Sequence, residues 1–485
     1  MRQNRVTRNV LLLAGGQAAS WGFAMLWLFF VPRKLGPTVI GELVIATSVT
    51  AILGIFVTQG AGTLLTKEIA RDSSVAGRLV SATLLIRLLC VIPAFVVASL
   101  YSWLLHFSAE QTVLVWLATG GMVTAALSGA FQAAFAGLER MEYMSYASVI
   151  GNGLTCVLGV ALVLSGGGPI ALLALELALS LLVLGLNVRW SFKLFPISAA
   201  RVVGLVPYIV RGGLSYWIGG LFFVAYLWID SVLLSIMAPA KVVGWYGAPT
   251  QLFTAILMVT GVLCTAWFPR LAAADKQGEA KLREVAKPAI EAVIVLSLPV
   301  GVGLVLVAGP LVGLLAGPAF SGAVPVLMVL GVTVIPTSFN MMAYQILLAG
   351  NRQVAWIKVV AVATVLNVFL NLVLVSHFQA SGNGAIGSAL ALLVSELFET
   401  VCALVLVRWV LRPSLAGRTA RAVLATALMA IGVLVVAPFG LFVEIACGVL
   451  WFGALAIVLR VASENELAEF RGLGLRLRRS GSGAA

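Results

Sequence analysis

Five charged side chains interrupt long apolar runs: Arg87, Glu176, Asp230, Glu396 and Glu399. A charge at mid-membrane costs about 2.5–3.5 kcal/mol on insertion scales, so each needs a counter-charge, water or a route to the interface. Arg87 lies nine positions after Arg78 (87 − 78), about 13 Å further along a helix that rises 1.5 Å per residue. It either snorkels back to the basic end of its run or pairs with an acid of a neighbouring helix. Asp230 sits in the last third of its run, where Lys241 or Lys34 would neutralise it. Two readings stand for it, a structural ion pair and a coupling site for a cation or substrate. Glu396 and Glu399 are i, i+3 on one helix face, so they share surroundings and do not both stay ionised when desolvated.

The runs that carry these charges must be membrane helices. The chain is 61% hydrophobic and 10% charged, with a mean hydropathy of +1.09, whereas a soluble domain carries about 25% charged residues. Spanning backbone must pair every N–H and C=O internally, which leaves helices or closed barrels. The apolar stretches are continuous and do not alternate in steps of two, which selects helices. Lengths and breaks predict an all-α polytopic membrane protein of about fourteen spans of roughly 20 residues.

Charge orients them. With the N-terminus inside, every one of the 31 basic residues except Arg33, Lys34, Lys241 and Arg87 falls on the inner side. That is the positive-inside pattern, and it places both termini in the cytoplasm with an even number of spans. The net charge of +13 is therefore a topology signal and no argument for nucleic acid. The first run is span-length and has no small-residue cleavage site, so a cleaved signal peptide is not expected. Cys90, Cys156, Cys264, Cys402 and Cys447 all fall in apolar runs and none forms C-x-x-C, so neither zinc nor a disulfide framework is suggested. No GxxxxGK[ST] occurs, so the chain carries no Walker-type ATP site. No cofactor and no metal are expected.

The chain starts over in its middle. Arg8 and Arg211 lie 203 apart (211 − 8), as do Gly41 and Gly244 (244 − 41), each pair around a span, a Pro/Gly turn and a second span. Gln132 and Gln345, and Gly137 and Gly350, lie 213 apart; Glu176 and Glu396 lie 220 apart. Each copy has an even number of spans and starts on the same side, which makes a parallel repeat. The predicted organisation is a six-helix lobe over 1–188, a basic linker over 189–211, a second six-helix lobe over 212–407, two more helices over 408–460 and a tail over 461–485. Two such lobes with a cleft between them are the architecture of an alternating-access carrier. Glu176 and Glu396, as repeat equivalents, argue for a structural role inside each lobe.

Three segments carry a resemblance: RKLGPTVIGEL with TKEIAR (33–43, 66–71); IDSVLL leading to VGWY (229–234, 243–246); and GPAFSGAVPVL through LLAGNRQ and NVFLNLVLV to GAIGSALALLVSE (317–396). In this order they resemble the oligosaccharide/polysaccharide flippases of the multidrug/oligosaccharidyl-lipid/polysaccharide exporter superfamily, over most of residues 1–410. The resemblance implies transfer of a polyprenyl-diphosphate-linked oligosaccharide from the inner to the outer leaflet of the cell membrane. It also implies membrane lipids, and a glycan polymerase or glycosyltransferases, as partners. Such a carrier needs amide, hydroxyl and aromatic groups for sugars, Arg or Lys for the diphosphate, and a lateral path for the lipid tail. The candidates are Arg8, Gln17, Trp21, Gln59, Lys67, Arg71, Arg211, Tyr216, Trp217, Gln251 and Arg270. Singly, each reads first as an interfacial anchor; Gln17 and Gln251, well within spans, are stronger as sugar contacts. Arg87 gains a third reading here, a grip on substrate phosphate. Asp230, Glu396 and Glu399 are the candidates for ion coupling or a lobe ion pair.

Other cargoes stay open, namely a lipid-linked peptidoglycan precursor or a cationic drug driven by cation coupling. From another class, a polytopic glycan polymerase or ligase shares the composition, but such an enzyme is expected to display a substantial outer loop with catalytic Arg, His or acids. Outer connections here are short throughout.

Overall fold

The computed structural model describes residues 2–58, 60–196, 202–409 and 415–461, with backbone alone at 2–14, 17, 18, 21, 215, 219, 222, 223, 225, 415 and 416. Within these residues there are fifteen α-helices and no strand. They are α1 (Arg2–Thr58), α2 (Ala61–Arg71), α3 (Ala76–Leu89), α4 (Val91–Leu104), α5 (Ala109–Gly137), α6 (Met141–Leu164), α7 (Pro169–Ser191) and α8 (Val202–Met237). The rest are α9 (Ala240–Asp275), α10 (Glu279–Leu315), α11 (Ala323–Ala349), α12 (Gln353–Ala380), α13 (Gly384–Leu406), α14 (Leu415–Val436) and α15 (Leu441–Val458). Among the described residues twelve stretches are long and apolar enough to cross a membrane, one of them, Ser73–Leu104, taking in both α3 and α4; within α8, Val202–Leu214 and Tyr226–Met237 are shorter apolar segments. Large apolar side chains such as Ile92, Val365, Phe442 and Val458 are at least 70% exposed, as lipid-facing positions must be.

Local chemistry sets the breaks. A straight α1 of 57 residues would reach about 85 Å at 1.5 Å per residue, far beyond a hydrocarbon core of about 30 Å. It is broken at Gly36, whose φ of 77° and ψ of 170° are not helical and suit only a residue without Cβ. Pro37 follows and has no N–H to continue the ladder. Between α3 and α4, Pro93 withholds the N–H that would bond the Leu89 carbonyl, and the chain steps at Cys90. Ser108 and Gln111 form a reciprocal capping box at the start of α5, at 3.2 and 3.1 Å.

The helices pack into two compact units. Unit 1 is Met1–Gln251, Val312–Val326 and Val360–Ser395. Its α5 packs against α1, α2, α3, α4 and α7 through small side chains such as Ala126, Ala130 and Ala134; within lipid, where apolar burial alone drives nothing, small residues let helices approach closely. At one end Leu65, Ile69, Val80, Phe131, Phe135 and Ile209 form a closed apolar cluster. Unit 2 is Leu252–Leu311, Leu327–Val359 and Glu396–Ala485, where α14 and α15 pack as a hairpin and Ala422 and Ala425 meet Val295, Leu298 and Phe452.

The repeat is written into the turns. Between α5 and α6 the Leu138 N–H bonds the Ala134 carbonyl, Glu139 has φ 57°, and the Arg140 N–H bonds the Phe135 carbonyl at 2.8 Å. Between α11 and α12, Gly350 bonds Ile346, Asn351 has φ 55°, and Arg352 bonds Leu347 at 2.7 Å. Both are helix ends closed by a left-handed residue, 212 positions apart (352 − 140). The α6–α7 and α12–α13 turns match as well: Gly166 and Gly382 have φ 93° and 86°, 216 apart (382 − 166). Here the matching offsets, 212 and 216, sit close to the 213 and 220 that side-chain types alone suggest.

Candidate functional site

Unit 1 holds a buried carboxylate. Asp230 on α8 is 3% exposed. Its Oδ1 accepts a hydrogen bond from Asn371 Nδ2 at 2.6 Å and its Oδ2 one from the Tyr246 hydroxyl at 3.1 Å. Asn367 and Asn371 stand one turn apart on α12, and Asn371 Nδ2 also reaches Asn367 O and Oδ1 at 3.0 and 3.2 Å. Asn367 Nδ2 and Asn371 Oδ1 have no hydrogen-bond partner among the described residues. No ion pair reaches Asp230 there. Lys34 is exposed, and Lys241 lies over the Trp245 ring at 5.0 Å. The reason is helical phase: Lys241 and Tyr246, five residues apart, point about 140° away from each other around α9, and Tyr246 takes the inward side. Neutral donors thus hold the acid where a lysine was expected. Buried carboxylate and amide oxygens are a donor set for a hard cation or a proton.

Unit 2 holds a carboxylate pair. Glu396 and Glu399 on α13 are each 4% exposed. Asn340 on α11 donates to Glu396 Oε2 at 2.8 Å and to its backbone carbonyl at 3.0 Å, and Thr400 Oγ1 lies 3.0 Å from Asn340 Oδ1 and 2.8 Å from the Glu396 carbonyl. Two acids at i, i+3, with Glu396 tied to the Asn340 amide, form a second buried polar node. Glu176 is only half-buried, so the two repeat-related acids sit in different environments.

Of the cation candidates, Arg87 is 2% exposed. Its Nη1 donates to the Ala126 carbonyl on α5, its Nε has no partner, and it makes no ion pair among the described residues. Snorkelling does not describe it. The guanidinium lies beside Gly129, where a Cβ would come within 3.5 Å of Nη1. Lys67 and Arg71 are exposed on α2, which packs against α8, the helix of Arg211, Tyr216 and Trp217. Lys67 lines a recess of about 550 Å³ with Thr63, Thr66 and Gln132, and Arg71 pairs with Glu68 at 3.3 Å. Arg211 and Tyr216 are exposed. Trp217 is tied down: its Nε1 donates to the Ile55 carbonyl at 3.1 Å and its ring meets Phe56 edge-on at 5.6 Å. Gln251 is exposed on α9. Arg270, in unit 2, stacks on Trp267 at 5.5 Å. The side chains of Arg8, Gln17 and Trp21, and Gln59 altogether, lie outside the described residues, as do 197–201 of the linker and the tail from 462.

Unit 2 also contains a groove of about 860 Å³ between α9, α10, α14 and α15, lined by Trp267, Gly303, Met429 and Phe452 among others, with Arg270 and Arg418 toward one end. Arg418 pairs with Glu291 at 3.0 Å, and Lys287 comes within 3.9 Å of the same acid. Glu291 and Glu444 join the five intramembrane charges noted from the sequence, both buried. An acid at i+4 from Lys287 and an acid one turn into α15 were the signals for them. For the Asp230 cluster the missed signal was an Asn pair at i, i+4 inside an apolar run.

Residues 6–275 match the family described as polysaccharide biosynthesis protein. The chain is 26% identical over 307 residues to the probable flippase AglR of Haloferax volcanii, covering 62% of this chain and 61% of that protein. The match therefore spans about three fifths of the relative's own length. Among solved structures the chain is similar to the lipid II flippase MurJ in an inward closed conformation, with TM-score 0.74 and 12% identity over 94% of this chain and 99% of the other. It is similar also to a MATE family multidrug resistance transporter of the MOP superfamily in an inward-facing conformation, with TM-score 0.64 and 15% identity over 81% and 94%. These likenesses establish the all-α polytopic fold. The family match takes in more than half of the 485 residues, and the chain belongs to the polysaccharide biosynthesis protein family.

Proposed function

We propose that this protein is a flippase. It carries a polyprenyl-diphosphate-linked oligosaccharide from the inner to the outer leaflet by alternating access, for assembly of a cell-surface polysaccharide. The observation that carries the reading is membership of a polysaccharide-biosynthesis family on a fold that matches a lipid II flippase over 94% of the chain. The protein works as a carrier and not as an enzyme, in the cell membrane, with both termini cytoplasmic. The six-helix lobes over 1–188 and 212–407 are its moving parts. Lys67, Arg71 and Arg211, exposed on the packed α2 and α8, suit a diphosphate; Tyr216, also exposed on α8, suits a sugar face. Asp230 with Asn367 and Asn371 is the coupling site, since oxygen donors without a counter-charge bind a cation or a proton. Glycosyltransferases and a polymerase act before and after it.

Deleting the gene separates this reading from the enzyme class. Completed lipid-linked units should accumulate out of reach of an impermeant lectin or periodate probe, because a diphosphate and several sugars do not cross about 30 Å of hydrocarbon unaided. Units reachable from outside would point to a missing polymerase or ligase and overturn the flippase reading.

A further inference from the structure

One acid in the unit 2 groove takes no part in the scheme above. Glu444, in the first turn of α15, is 4% exposed and lines the groove, while its neighbours Phe442, Val443 and Ile445 are exposed. Among the described residues its side chain makes no hydrogen bond and no ion pair. Glu444, Gly448 and Phe452 follow at i, i+4 and i+8, so the carboxylate heads a row that runs down the groove wall. Arg270 and Arg418 belong to the far end: Arg418 and Val433 line the same groove fifteen residues apart on α14 (433 − 418), about 22 Å along a helix. They cannot serve as its counter-charges. The opening is apolar and faces outward, since Val449 and Ile445 line it and are 69% and 43% exposed.

We infer that the Glu444 end of this groove binds an ammonium-bearing amphiphile, with the ammonium on the Glu444 carboxylate and the alkyl chain along Gly448, Val449 and Phe452. A carboxylate lining an apolar groove selects a cation with N–H donors, and the apolar trough selects a chain. An aminophospholipid and a free long-chain amine share this chemistry. The inference does not depend on the identity of the transported glycan.

The test is native mass spectrometry of the full-length protein released from mixed micelles. Wild type should retain phosphatidylethanolamine over phosphatidylglycerol of the same chains by about fivefold or more, a preference of about 1 kcal/mol at RT of 0.59 kcal/mol. Hexadecylamine should displace it and hexadecanol should not. Glu444→Gln should abolish the preference. Retention of hexadecylamine without any preference for the aminophospholipid identifies a free amphiphile as the ligand and supports the site. Equal retention of all probes, or an unchanged preference in Glu444→Gln, overturns it. If the variant does not fold, protection of wild-type Glu444 from a hydrophobic carbodiimide by hexadecylamine, read by peptide mass mapping, reports the same contact; equal protection by hexadecanol overturns the proposal.

Discussion

Gly41 and Gly244 lie back to back, and each occupies space that only a glycine leaves. A Cβ on Gly41 would run into the Ala240 carbonyl and come within 3.0 Å of the Gly244 nitrogen. A Cβ on Gly244 would run into the Pro37 carbonyl and come within 3.1 Å of the Gly41 nitrogen. The two glycines are 203 positions apart, and so are Pro37 and Ala240 (240 − 37). Residue i meets j as j meets i, the signature of a two-fold axis, here inside one chain. The axis passes between the starts of α9 and of the second part of α1.

Substitution at either glycine is therefore predicted to act alike. Gly41→Val and Gly244→Val should each lower thermal stability in detergent by about 1–3 kcal/mol, the usual cost of overpacking. Each should also lower glycan export at matched membrane levels, since in the proposed alternating-access cycle the contact forms and parts. The double variant should cost less than the sum, because the two side chains meet one contact. Strict additivity in melting shifts would contradict the shared axis.

Arg87 is predicted to matter through its charge. Arg87→Ala should reduce export about tenfold or more at matched levels, and Arg87→Lys should retain much of it, because a point charge near the Ala126 carbonyl suffices. An Ala variant with wild-type export would mean that the guanidinium is a passenger, at odds with the price of about 2.5–3.5 kcal/mol for a charge in hydrocarbon.

Removing the charge at Asp230 should uncouple transport without unfolding the protein. Asp230→Asn keeps the shape and the partners Asn371 and Tyr246, so its melting temperature should stay within a few degrees. Its substrate movement in liposomes should stop responding to an imposed sodium or proton gradient. Tyr246→Phe removes one neutral donor and should leave the response intact but weaker. An unaltered gradient response in Asp230→Asn would show that the acid serves only to join α8 to α12.

These residues also mark how far the sequence alone reaches. The all-α polytopic fold was legible because it follows from length and hydropathy; about fourteen spans were expected and twelve candidates are found among the described residues, while the α5–α6 and α11–α12 turns match at an offset within one position of that between Gln132 and Gln345. The polar nodes were half-legible. Asp230 stood out as a charge in an apolar run, but its partner Asn371 lies 141 positions away (371 − 230) and only packing brings it there. Lys241 was the nearer choice along the chain and the wrong side of its helix. Trp217 read first as an interfacial anchor, and its contacts with Ile55 and Phe56 are long-range ones that residue type does not reveal. Glu444 passed unnoticed because an acid near a loop reads as a boundary residue until its burial is seen.

A flippase moves its lipid-linked glycan across the bilayer unaided by any other protein. Purified protein in liposomes, with a fluorescent polyprenyl-diphosphate oligosaccharide in the inner leaflet and a membrane-impermeant quencher or lectin outside, measures it directly. Time-dependent exposure of the label is expected without ATP, well above protein-free liposomes, slowed by Arg87→Ala and insensitive to gradients in Asp230→Asn. Label that stays inside at the protein-free rate, with folded protein and an imposed ion gradient of either sign, would contradict it.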